Sequence, residues 1–230
     1  MRVLITGAAG AIGSTLAKGL QARHLLRGLD RVPMPLLEDA VVGDVVDLAT
    51  VLTVAKGMEA IVHLANVGPD WEECLQSMIG TYNVLEAARQ CGVRRIAYAS
   101  RAGLLPRSFY PRTLQRTVEM LPKPESYYSV TKVFGESLGY MYSVQHGLEV
   151  VAVRIGNFNR ERDQPRDPHH LSHGDCVRLF EQALIHPGVK YEVVFGVSDS
   201  DWPLYDLEQG RRAIGYYPQD YSRPLKDQWQ

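Results

Sequence analysis

Short apolar runs alternate with longer amphipathic stretches through the first two-thirds of the chain. This is the pattern of a parallel sheet covered by helices on both faces. The runs Arg2–Thr6, Leu25–Asp30, Ala40–Val42, Ala60–Leu64, Arg95–Ala99 and Glu149–Ile155 read as strands, with Tyr191–Phe195 as a later one. Ala11–Arg23, Leu48–Lys56, Trp71–Cys91 and Ser126–His146 read as helices. Two of these stop at a glycine, Cys91-Gly92-Val93 and His146-Gly147-Leu148, as helices do before a left-handed turn. The pattern predicts an α/β fold, a doubly wound parallel sheet forming a single domain over residues 1–230. Residues 156–189 and 197–230 are expected to form a smaller C-terminal portion on the ligand side.

Two segments lack periodicity. Arg101–Glu125 carries four prolines, and Gly156–His173 is rich in Arg, Asp, Pro and His. Long irregular loops inside a compact domain are commonly binding loops or lids. Both follow the C-terminal ends of expected strands, where open α/β sheets place their ligands.

The first strand runs directly into Gly7-Ala8-Ala9-Gly10-Ala11-Ile12-Gly13 and then a helix. Strand, glycine turn and helix in that order make a dinucleotide-binding Rossmann unit. Gly7 permits the tight turn, Gly10 lets the backbone approach a pyrophosphate, and Gly13 allows close helix–strand packing. Asp30 ends the second strand, where a carboxylate accepts hydrogen bonds from an adenosine ribose and repels a 2′-phosphate. This favours NAD over NADP, although the neighbouring Arg31 is a residue type that accommodates the phosphate. Asp44 either receives the adenine amino group or is a plain turn aspartate.

Composition adds mainly exclusions. The 230 residues carry a net charge of −1 and 45% hydrophobic residues, a balance that attracts neither nucleic acid nor an anionic membrane surface. Cys74, Cys91 and Cys176 are scattered and odd in number, which fits a reducing cytoplasm rather than a disulfide framework. Neither a signal peptide nor a membrane-spanning run is expected. His169, His170 and His173 invite a metal reading, but no cysteine or carboxylate completes the set. A polar loop with satisfied histidines, and no metal, is expected there. Arg160 and Arg162 in the same loop are expected to be solvated.

Ser126-Tyr127-Tyr128-Ser129-Val130-Thr131-Lys132 contains Tyr-x-x-x-Lys. On a helix this spacing sets the Tyr128 phenol and the Lys132 ammonium on one face. A nearby cation favours phenolate, as proton exchange with an alcohol or carbonyl near neutral pH requires.

Taken together, the glycine turn, His63-Leu64-Ala65-Asn66, Tyr-x-x-x-Lys and Arg154-Ile155-Gly156-Asn157 resemble the extended short-chain dehydrogenases, the NAD-dependent epimerase/dehydratase family. Ile214-Gly215-Tyr216-Tyr217-Pro218 is similar to that family's late Leu-Gly-Tyr-x-Pro. Within the family, Tyr128–Glu136, Arg154–Asn157, Leu171–Asp175 and Val193–Trp202 resemble uronate dehydrogenases, which oxidise a hexuronic acid at its anomeric carbon and pass hydride to NAD. The resemblance implies that Ala11, Ile12, Val45, Leu64, Ala65, Asn66 and Ile155 line the cofactor. It implies Tyr128 as base, Lys132 as its partner on the ribose, and Asn157 near the substrate. It also implies a homodimer, in which helices 71–91 and 126–146 pair across a two-fold axis. Leu75, Met78, Ile79, Met141 and Tyr142 are the apolar residues expected to serve that pairing.

Departures from the family pattern concentrate at the reacting end. After the fifth strand the run is Ala99-Ser100-Arg101-Ala102-Gly103, and register puts Arg101 where the family has its catalytic serine. Ser100 is one residue off, on the opposite strand face unless the strand end bends. It is the candidate catalytic hydroxyl. Arg101 reads as a replacement electrophile, a carboxylate clamp or a solvated loop arginine. Arg166 is a further candidate for a substrate carboxylate. The substrate Asn-His pair of uronate dehydrogenases reads Ala102-Gly103, and the family's helix asparagine is Ser77. The chain also ends sooner after Pro218 than the resemblance implies. Two readings remain open: an NAD-dependent oxidoreductase or nucleotide-sugar epimerase, and a nucleotide-binding protein with lost or altered catalysis.

Overall fold

Val3, Leu4 and Ile5 are fully buried in β1 (Arg2–Thr6), which has a neighbouring strand on each side. A continuous apolar run is what a strand covered on both faces requires. Around it the computed structural model, which describes residues 1–163 and 167–222, forms a seven-stranded sheet. The other strands are β2 (Leu25–Asp30), β3 (Asp39–Val42), β4 (Ala60–His63), β5 (Arg95–Arg101), β6 (Glu149–Ile155) and β7 (Tyr191–Gly196). Their order is β3-β2-β1-β4-β5-β6-β7, and every pairing is parallel. The order reverses between β1 and β4, so the carboxyl ends of those two strands open the crevice that binds ligands in such sheets.

One face is covered by α1 (Ala11–Leu20), α5 (His173–Ile185) and α6 (Glu208–Ile214), through Leu16, Leu20, Leu179, Phe180 and Ile214. The other is covered by α2 (Leu48–Ala55), α3 (Trp71–Cys91) and α4 (Tyr127–His146), through Val51, Val84, Leu85 and Tyr142. Helix α1 stops at Leu20, three residues before the expected end. The following turn is drawn to α5, where the Arg23 guanidinium pairs with Glu181. Strand β5 continues two residues further than expected, through Arg101, because it stays paired with β6 to that point.

The smaller portion is drawn differently from the expected boundaries. Residues 173–185 are not part of it: α5 packs beside α1 in the main core. The satellite cluster instead joins the 101–125 loop to the chain after β7, with Ala102, Leu105, Phe195, Val197, Leu204 and Tyr205 at its centre. Arg116 holds that loop in place. Its side chain is fully buried and donates to the carbonyls of Tyr110, Pro111 and Leu114, while its backbone pairs with Leu204 and Asp206. The C-terminal return is pinned by Asp175, a fully buried carboxylate that accepts from Arg178 and from the backbone N–H groups of Gln219 and Asp220. Two short strands, β8 (Asp199–Ser200) and β9 (Tyr221–Ser222), pair beside it. The three cysteines are unpaired, and no helix among the described residues is long and apolar enough to cross a membrane.

Candidate functional site

The glycine turn is shaped by contacts that leave no room for side chains. Gly7 has φ +72°, and a Cβ there would lie 2.7 Å from the Ala65 nitrogen and 2.9 Å from the Leu64 carbonyl carbon. A Cβ on Gly13 would collide with the Gly7 carbonyl oxygen, so α1 can start this close to β1 only with glycine. The N-terminus of α1 has no side-chain cap, which leaves its N–H groups available to an anion. The Asp30 carboxylate accepts from the Ala9 N–H at 2.9 Å and thereby ties the turn to the end of β2.

Beside this turn lies a cleft of about 400 Å³, lined by Asp30, Arg31, Asp44, Val45, Leu64, Ala65 and Asn66. Asp44 plays the turn role, accepting from the Val46 N–H at 3.0 Å, and still faces the cleft. Ser77 does from α3 what a longer amide would do: its hydroxyl accepts from the Val67 N–H at 3.0 Å and braces the loop after β4. Asn83, unremarked in the sequence, donates to the carbonyls of Val45 and Val46 at 3.0 and 2.7 Å and fixes the opposite wall. A strained glycine turn, an uncapped helix start and an acidic strand end around one cleft fit a dinucleotide.

His63 is buried at the end of β4. Thr6 Oγ1 and Thr81 Oγ1 bond its two ring nitrogens at 2.7 and 3.2 Å, and burial holds its pKa down to about 3. The neutral ring bridges β1, β4 and α3 beneath the turn.

A second cleft, about 680 Å³, continues from the first past Gly10, Ala11 and Ile12 to Tyr128 and Lys132. Ser126 caps α4 by accepting from the Ser129 N–H at 3.2 Å, which fixes the first turn and sets Tyr128 and Lys132 toward the cleft. The Lys132 ammonium and the Arg101 guanidinium carbon each lie 5.2 Å from the centre of the Tyr128 ring. Burial lowers the Lys132 pKa to about 8, with the Arg101 charge acting in the same direction. For Tyr128, burial raises the phenol pKa and Arg101 pulls it back down. Two cations thus face the phenol, Lys132 from its own helix and Arg101 from the end of β5.

Ser100 lies on the other face of β5, as its register implies. Its hydroxyl donates to Glu136 Oε1 at 2.6 Å, and Arg154 grips the same carboxylate with two bonds of 2.9 Å. All three residues are buried. Ser100 lines the same cleft as Tyr128, with its hydroxyl engaged by the Glu136–Arg154 pair.

Two further candidates fall around the same cleft. Ile155 and Asn157 line it at the end of β6. The two aperiodic loops add Arg107 and His169, and the satellite cluster adds Tyr205; sequence reasoning missed Arg107 and Tyr205 and gave His169 only a polar-loop role. His169 takes an Arg107 N–H on Nε2 at 2.8 Å and faces the Tyr205 hydroxyl with Nδ1 at 2.7 Å. Burial and the Arg107 charge hold its pKa down to about 4, so the ring is neutral with its proton on Nδ1. Arg166 lies outside the described residues. Arg160, expected to be solvated, reaches the Ala9 carbonyl on the glycine turn. No three His, Cys, Asp or Glu side chains among the described residues are grouped to hold a metal.

Residues 3–180 match the family described as NAD dependent epimerase/dehydratase. The chain is 33% identical to the uronate dehydrogenase of Pseudomonas putida, over 98% of this chain and 86% of that one. It is 34% identical to the NAD-dependent glucose-6-phosphate dehydrogenase of Haloferax volcanii, over 96% of this chain and 94% of that one. A crystal structure of a uronate dehydrogenase variant from Agrobacterium tumefaciens, complexed with NAD, superposes with a TM-score of 0.87 at 31% identity, covering 96% of this chain and 85% of that one. The glycine turn at the switch point, the tyrosine–lysine helix beside it and these likenesses lead to one assignment: the chain belongs to the NAD-dependent epimerase/dehydratase family.

Proposed function

We propose that the protein is an NAD-dependent dehydrogenase that oxidises a hydroxyl-bearing ring carbon of a sugar acid or a related acidic sugar. The observation that carries this reading is the continuity of the two clefts, which share Gly7, Gly10, Leu64 and Asn66 and bring Tyr128 and Lys132 within one groove of the glycine turn. Gly7, Gly10, Gly13 and the start of α1 hold the pyrophosphate, and Asp30 holds the adenosine ribose. Bound NAD supplies the hydride acceptor. Tyr128 takes the proton of the substrate hydroxyl, and Lys132 bonds the second ribose and holds the phenol in place. An acidic substrate is favoured by the positive charge that the Arg101 and Arg107 guanidiniums bring to the cleft. Asn157 completes the substrate wall, and Arg166 belongs to the same proposal.

The protein is further proposed to be a cytoplasmic homodimer. Its unpaired cysteines fit a reducing compartment. The outward faces of α3 and α4 expose Leu75, Ile79, Tyr82, Val130 and Val144, an apolar stripe suited to a second copy. A second reading, nucleotide binding with altered catalysis, is favoured by the engagement of Ser100 with Glu136. NAD reduction over a panel of uronic acids, sugar phosphates, free sugars and nucleotide sugars separates the two. Turnover that Tyr128→Phe abolishes while NAD still binds supports the dehydrogenase. No turnover across the panel, with NAD bound, leaves the binding reading.

A further inference from the structure

We propose that Arg101 takes over the handling of the reacting oxygen from a hydroxyl group, and that Gly103 is the residue that makes room for it. The inference rests on the dehydrogenase reading and adds a catalytic group to it. Arg101 is the last residue of β5, where the family resemblance implies a serine, while the nearby Ser100 hydroxyl is committed to Glu136. Its guanidinium folds back over the following turn. A Cβ on residue 103 would lie 2.5 Å from Nη2, 2.8 Å from Nε and 2.9 Å from Cζ. Gly103 is not among the glycines with positive φ, so its backbone does not need a glycine. A side chain at 103 would displace the guanidinium from this position.

That packing sets Arg101 against Tyr128 and anchors it to the same helix end. Nη1 donates to Ser129 Oγ at 3.1 Å, and Ser129 Oγ is bonded to the capping Ser126 Oγ at 3.0 Å. This is the one hydrogen bond of the Arg101 side chain among the described residues, and no carboxylate there pairs with it. A half-buried guanidinium stays charged at any working pH, and its remaining N–H groups need an acceptor. In the cleft beside a proton-accepting phenol, that acceptor is the substrate oxygen as it gains negative charge. The substrate O–H gives its proton to the Tyr128 phenolate and its C–H gives a hydride to NAD, leaving a carbonyl. Arg101 donates to the oxygen throughout. Tyr128 also faces Lys132 from its own helix, Cys74 from α3 and Tyr98 from β5, with Arg107 and Glu125 across the cleft.

Three substitutions test this. Arg101→Gln is expected to lower kcat by about 100-fold or more while NAD affinity, read by fluorescence titration, is unchanged. It should also move the acidic limb of the kcat/KM profile up by about one pH unit or more, since a lost cation disfavours phenolate. Arg101→Lys should restore the limb but not kcat, because the charge returns without the planar fork. Gly103→Ala should act in the same direction by displacing the guanidinium, and should add nothing in the Arg101→Gln background. Tyrosinate absorbance of the protein minus that of Tyr128→Phe gives the Tyr128 titration without any substrate, and it should move up in Arg101→Gln. A rise in KM alone, with kcat and the limb untouched, would make Arg101 a clamp and overturn the proposal, as would full additivity with Gly103→Ala. If no sugar turns over but the tyrosinate titration shifts, the dehydrogenase reading fails and the Arg101–Tyr128 coupling stands. An unmoved titration overturns the coupling itself.

Discussion

Features that are local in the chain were legible from spacing alone. Gly7 and Gly13 serve a turn a few residues long, and Tyr128 with Lys132 needs only one helical turn. Ser100 shows where such reasoning stops. Its odd register was readable, but its partner Glu136 is 36 residues away and enters only through the packing of α4 on β5. We therefore expect Ser100→Ala to leave kcat within a few-fold and to cost about 1–3 kcal/mol in urea unfolding, the range for a lost hydrogen bond to a buried charge. A large kcat loss at unchanged stability would contradict that placement. Under the proposed function Asp30 has two tasks, because the carboxylate proposed to meet a ribose also holds the Ala9 N–H. Asp30→Ala should weaken NAD binding more than it improves NADP binding. Asp30→Ser, which keeps an acceptor, should narrow the preference with less loss, and equal effects of the two would refute the bracing role. The meeting of Arg107, His169 and Tyr205 was not legible in the sequence, since nothing periodic links residues on three separate segments.

At the scale of elements, strands were read to within two residues because both faces of the sheet are covered and their apolar runs are continuous. Helix α5 was overlooked despite a usable signal. Ser172-x-x-Asp175 opens it as a cap, and Cys176, Leu179, Phe180, Ala183 and Leu184 repeat at helical spacing on its buried face. The histidines and arginines just before it gave that stretch the look of a loop. The 101–125 loop has little regular structure, and its order depends on one fully buried arginine bonded to three carbonyls. Arg116→Met keeps most of the volume and strands those acceptors. We expect limited proteolysis to cut within residues 105–120 far faster in this variant, with substrate KM raised and NAD affinity preserved. Proteolysis as slow as in the parent protein would show that the satellite cluster holds the loop unaided.

The expected dimer is a property of the whole molecule, and the structure revises which residues serve it. Tyr142 is buried and donates to Glu86, so it belongs to the core, and Met78 and Met141 are half-covered. Leu75, Ile79, Tyr82, Val130 and Val144 remain outward on adjacent helices. Light scattering at micromolar concentration should report a dimer, and Ile79→Glu with Val130→Glu should yield a folded monomer. A monomeric parent protein would end the proposal. The two helices involved are not spare scaffolding. Along α3 the outward Ile79 is two residues from Ser77, which braces the cofactor cleft, and along α4 the outward Val130 is two residues from Tyr128. Pairing of two copies would thus press on the back of the elements that hold cofactor and base. Mass action then couples assembly to chemistry: turnover per subunit should fall as the protein is diluted through its dissociation constant, and recover on concentration.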